Sequence, residues 1–102
     1  MHYTVSVVDS TKRYEFTFED NTSCVFFVSK TGIISMDVRK YIQTEYLSSA
    51  LNEVTLKTAG EGLTPTINIK NSNKFFKALA ENAGFEKIPC NGISFSVWVK
   101  RW

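Results

Sequence analysis

The stretch NSNKFFKALAENAGFEKI, residues 71 to 88, carries the clearest punctuation in this 102-residue chain, and its reading decides the fold. Asn71, Ser72 or Asn73 can cap a helix, because a short side-chain oxygen accepts a hydrogen bond from an otherwise unpaired first-turn amide. Phe75, Phe76, Leu79, Ala80 and Ala83 recur at three- and four-residue spacing, which predicts a helix over about 72 to 83 with one apolar face. Gly84 supplies the left-handed residue that stops such a helix, and FEKI then reads as a strand.

The same period appears upstream. From about Arg39, the residues Ile42, Tyr46, Leu47, Ala50, Leu51 and Val54 share one helical face, while Gln43, Ser49, Asn52, Glu53 and Lys57 point elsewhere. This predicts a longer helix over about 40 to 58. AGEG ends it, Pro65 discourages its continuation, and PTINIK alternates as a strand. Before residue 39 the period is two. YTVSVVD, RYEFTFED, the more apolar CVFFVSK and then IISMDV read as four strands, because strand side chains alternate between faces. STKR and EDNTS are expected to turn the chain, and Gly32 in KTGI permits a tight hairpin. PCNG leads into a last strand, ISFSVWVK.

The fold class expected is α+β: a single domain over residues 1 to 102, with one mixed sheet, two helices and the order ββββ-α-β-α-ββ. A strand, crossover helix and next strand usually lie parallel with a right-handed connection, so IISMDV and PTINIK are expected as parallel neighbours. Where two such strand ends meet a helix start, unpaired amides offer the usual seat for a ligand's phosphates.

Composition excludes more than it names. With 43% hydrophobic and 14% aromatic residues the chain suits an ordered globule, and a formal charge of +2 falls short of the basic excess of a dedicated nucleic-acid binder. The start MHYTVSVVDS lacks the pattern of a secretion signal and no apolar run is long enough to span a membrane, so a soluble, cytoplasmic protein without membrane association is expected. Cys24 and Cys90 fit neither a metal knuckle nor a dense disulfide framework; both are expected reduced, and no metal site is expected. His2 is the only histidine and lies at a terminus, which disfavours histidine-based catalysis. Asp9, Glu15, Glu19 and Asp20 read as solvated groups at strand ends and turns. In the C-terminal SVWVKRW, Trp98, Lys100, Arg101 and Trp102 combine aromatic surface with positive charge, a combination that serves a protein interface or a single-stranded nucleic-acid site. Val97, Trp98 and Val99 also follow ordinary strand alternation, and the protein partner carries more weight because aromatics and Arg are enriched at protein-interface hot spots.

Asn73 followed by KFFKALAENAGF, closed by Gly84 and Phe85, resembles the C-terminal signature of the GNAT acyltransferase superfamily, and the element order from about residue 13 to 100 is similar to that fold without its two early helices. Trimmed relatives of this kind look similar to GNAT-like proteins of some bacteriophages. The resemblance implies an acyl-CoA site at the start of the central helix, carried over here to Val38, Gln43, Thr44, Glu45, Tyr46 and Asn73. In the family, glycines open that helix; here the stretch is QTEYLS, with Tyr46 and Ser48 at glycine positions and Glu45 beside the phosphate seat. The family's frequent tyrosine acid falls at Ala80, and no other catalytic residue is assigned. The function expected is therefore a catalytically silent GNAT-like module that binds a protein and needs no cofactor. The alternative is an acetyl-CoA-dependent N-acyltransferase with an atypical pyrophosphate loop, and a lesser alternative is single-stranded nucleic-acid binding.

Overall fold

Strand β1 (His2–Val8) returns as β2 (Thr11–Thr17) through Asp9 and Ser10, whose φ angles of 50° and 67° are the left-handed pair of a two-residue hairpin. Such a turn twists in the same sense as the strands it joins. The expected turn STKR is thus corrected: the chain reverses at Asp9 and Ser10, and Thr11 to Arg13 already pair with β1. In the computed structural model, which describes residues 1 to 89 and 94 to 102, seven strands and two helices follow the expected order. They are β3 (Ser23–Val28), β4 (Ile33–Asp37), α1 (Thr44–Gly60), β5 (Thr66–Lys70), α2 (Lys74–Asn82), β6 (Phe85–Ile88) and β7 (Phe95–Lys100). The fold is α+β, with one mixed sheet in the order β1-β2-β3-β4-β5-β7-β6. PCNG lies largely outside the described residues, as does Cys90.

β4 and β5 are parallel neighbours, as the crossover rule requires, and every other pairing is antiparallel. Alternation sets the faces. Tyr14, Phe16, Cys24, Phe26, Val28, Ile34, Ile67, Ile69 and Trp98 are buried, while Glu15, Ser35, Asn68 and Glu86 on the other face are exposed. Both helices lie over the buried face: α1 touches β3 and α2, and α2 touches β5 and β6. Leu47, Ala50, Leu51 and Val54 of α1 meet Phe76, Leu79 and Ala80 of α2 in this single core. Thr55 and Thr58 also face inward, their hydroxyls donating to the Leu51 and Val54 carbonyls at 2.7 and 2.8 Å. That satisfies a buried polar group within the helix itself.

Two glycines are required where they stand. Gly32 has φ 94°, and a Cβ there would meet the Thr64 carbonyl oxygen at 2.8 Å. Gly84 has φ 84°, and its missing Cβ leaves room for the Lys100 ammonium, which donates to the Ala83 carbonyl at 2.6 Å and so caps the end of α2. The start of α2 is capped as expected, by Asn73, whose side chain accepts from the Phe76 amide at 3.0 Å.

Two helix expectations need correction. α1 begins at Thr44 rather than near 40, because Gln43 is extended (φ −58°, ψ 137°) and Ile42 reaches the core from the preceding loop. Phe75, expected in the core, is 49% exposed; Phe76 takes the inward position, since adjacent residues on a helix cannot share a face.

Candidate functional site

The parallel pair β4 and β5 holds together over only two residue pairs, Ile33 with Thr66 and Ile34 with Ile67. Beyond them Ser35, Met36 and Asp37 stay paired to β3, and Asn68, Ile69 and Lys70 stay paired to β7. The two strands part. Residues 38 to 43 leave β4 at this point and run into α1, and α2 starts near the end of β5, so two helix N-termini converge on the gap. A groove of about 280 Å³ lies there, lined by Val38, Lys40, Tyr41, Ile42, Leu47 and Phe75. Its lining is apolar apart from Lys40 and the Tyr41 hydroxyl. Tyr41 is 84% exposed and Phe75 stands half out of the surface, an arrangement of aromatic rings common at protein interfaces.

The residues carried over as a cofactor site separate into three roles. Val38 lines the groove. Gln43, Thr44, Glu45 and Tyr46 form the start of α1, where the Tyr46 amide bonds back to the Gln43 carbonyl at 3.0 Å and no side chain caps the helix. Tyr46 does not stand across the helix mouth: its ring lies flat on Phe18, with centroids 5.0 Å apart and planes 5° apart. Asn73 spends its side-chain oxygen on the α2 cap, two residues before Phe75. Glu45 stands in the first turn of α1. Desolvation, followed by the carboxylates of Asp20, Glu19 and Glu45, pushes the Tyr46 hydroxyl above the ordinary tyrosine range. Arg39 is 3.4 Å from Asp37, and with Lys40 these residues border a larger, more polar hollow of about 400 Å³ that also includes Asn21, Ser23 and Val25.

At the C-terminal end the four expected partner-binding residues are not one surface. Trp98 is 5% exposed and belongs to the core, which corrects its assignment as a contact or stacking residue; its position on β7 points it beneath the helices. Lys100 is engaged with the Ala83 carbonyl and lies 4.9 Å from the Trp102 ring centroid. Arg101 is 3.3 Å from Glu86. Arg101 and Trp102 are exposed, and Trp102 with Asn52, Thr55, Leu56 and Lys100 borders a hollow of about 230 Å³ beside α1. Ala80, at the position of the family's acid, is fully buried.

Sequence reading missed Tyr41, Phe75 and Leu56 as exposed apolar groups. The doublet Phe75-Phe76 held the signal for one of them, because only one of two neighbours can face the core.

A parted parallel pair beside a helix start, in a sheet of this strand order, is decisive for comparison with solved structures. Three spermidine N-acetyltransferase structures share the architecture. A chimera of Vibrio cholerae SpeG with hSSAT superposes with a TM-score of 0.67 at 11% identity, over 89% of this chain and 65% of that one. The protein has a GNAT-like fold. A SpeG point variant from the same organism gives 0.59 at 12% identity, covering 89% of this chain and 64% of its own, and a second SpeG chimera gives 0.59 at 12%, covering 89% and 68%. This GNAT-like chain spans about two thirds of the length of those chains. No family model and no curated protein matches the sequence.

Proposed function

We propose that this GNAT-like chain is a recognition module that binds a protein through the groove where β4 and β5 part, and that it does not transfer acyl groups. One observation carries the reading: the groove is lined by apolar groups and Lys40, with two aromatic rings exposed at it, while Glu45 stands in the first turn of the adjoining helix. Exposed aromatics favour a protein surface that buries them. A carboxylate in the first turn offsets part of the attraction that the helix amides would exert on a pyrophosphate. Ala80 has no proton to give where the family's acid would stand. The burial of Trp98 removes one of the two rings on which nucleic-acid stacking would depend.

The acyltransferase reading keeps one observation in its favour, the parting of β4 and β5 beside a helix start with no side-chain cap. Its spermidine-acetylating neighbours share the fold at 11 to 12% identity, which leaves the site residues free to differ. The test of the binding module is a comparison of captures. Tyr41→Ser with Phe75→Ser removes both exposed rings without entering the core, so the melting temperature should hold. The double variant should lose a protein that the parent captures reproducibly, whereas Trp102→Ser should keep it. Capture unchanged in the double variant would contradict the groove.

A further inference from the structure

The two edges of the sheet are built differently. At one end β6 is four residues long and carries Glu86 and Lys87, both exposed. Short length and charge are the usual protections of an edge strand against pairing with another chain. At the other end β1 runs for seven residues with no Lys, Arg, Asp, Glu or Pro, and pairs with β2 in unbroken register from His2 with Thr17 to Val8 with Thr11, so no bulge turns it aside. Val5, Val7 and Val8 are 48, 62 and 64% exposed. The strand is also held firmly in place. The Tyr3 hydroxyl donates to Glu53 of α1 at 2.9 Å, and its ring packs on Phe16 with centroids 4.8 Å apart. β1 therefore offers a fixed, neutral row of outward backbone donors and acceptors, with apolar side chains beside it.

The order of residues on β1 selects the occupant. An antiparallel partner strand with the same sequence, centred on Val5, sets Val5 opposite Val5, Tyr3 opposite Val7, Thr4 opposite Ser6 and His2 opposite Val8. Aromatic with β-branched, hydroxyl with hydroxyl and valine with valine are favourable cross-strand pairs, and no like charges meet. Tyr3, Val5 and Val7 share the helix-bearing face, because Tyr3 pairs with the buried Phe16 and Val5 with the buried Tyr14. A twofold axis normal to the sheet keeps that face common to both copies. We infer that β1 is a homodimer edge, at which two copies join antiparallel about Val5 into one continuous sheet with both helix layers on the same side. The contact is isologous, as a twofold requires. A single strand edge makes a narrow interface, so the dimer is expected to dissociate on dilution.

Sedimentation velocity over a dilution series tests this on the whole chain. The parent should move from twice the monomer mass towards the monomer mass as it is diluted. Val5→Lys sets two ammonium groups opposite each other at the axis and should remain monomeric at every concentration, with an unchanged circular dichroism spectrum; Val5→Thr, which keeps a β-branched neutral residue, should still associate. Because Val5 lies on the axis, Val5→Cys should form an intermolecular disulfide under mild oxidation, and Lys87→Cys on the opposite edge should not. A parent that is monomeric throughout, a folded Val5→Lys variant that still dimerises, or cross-linking through Lys87→Cys in place of Val5→Cys would each overturn the assignment. The first result would leave the edge to an extended segment of another protein.

Discussion

Trp98 is buried, and its indole N–H has no hydrogen-bond partner among the described residues. An unpaired buried donor costs stability, so the ring contributes through its apolar surface alone. Trp98→Phe removes the donor and part of the ring, and is expected to cost less than about 1.5 kcal/mol, whereas Trp98→Ala should cost roughly 3 to 5 kcal/mol through the cavity it leaves. Urea titration of the two variants compares them, and equal losses would mean that the N–H has a partner. Cys24 gives a pH test. Burial pushes its thiol from 9.0 up to about 12. A folded pKa above the unfolded one means that its stabilising contribution is complete below pH 9 and is lost as pH rises towards 12. The difference in urea midpoint between the parent and Cys24→Ala should therefore shrink across that window; a constant difference would contradict burial of the thiol. At this scale the sequence was only partly legible. Alternation put Cys24 in an apolar strand, but it equally put Trp98 in strand register, and the aromatic and basic C-terminal run obscured that simpler reading.

The elements were legible where their ends are chemically marked. α2 has an Asn cap, a clean apolar face and a glycine stop, and its bounds emerged nearly as expected. Its cap predicts that Asn73→Ala costs about 1 kcal/mol, measurable by denaturation; no change would mean that Asn71 or Ser72 can take over. α1 lacks such marks. Ile42 fits the helical period four residues before Tyr46, yet reaches the core from a loop, so the period alone could not place the start. Its inner face is also blurred by buried Thr55 and Thr58, while Leu56 faces out. The β1–β2 turn was misplaced for a related reason, since Asp9-Ser10 lacks the glycine that usually marks a two-residue hairpin. Gly32 was read correctly, and its environment sharpens the expectation. Gly32→Ala combines a left-handed backbone with a contact to the Thr64 carbonyl, and should lower stability by roughly 1 to 3 kcal/mol. A melting temperature equal to the parent's would show that the β3–β4 turn can relax away from residue 64.

For the whole molecule, the right-handed crossover rule sufficed to make β4 and β5 parallel neighbours, and that pairing governs the rest of the topology. The groove was not legible in the same way. It forms only when the loop after β4, the first turns of α1 and the second residue of α2 come together, and no periodicity records that meeting. The helix start beside it decides between recognition and acyl transfer, which makes acetyl-CoA binding the most direct test. A ligand at 100 times its dissociation constant stabilises a fold by about 2.7 kcal/mol, a shift on the order of 10 °C for a domain of this size. A thermal melt in millimolar acetyl-CoA should superimpose on the melt without it. A shift of several degrees that saturates with acetyl-CoA concentration would contradict the recognition-module account and restore the cleft to acyl transfer.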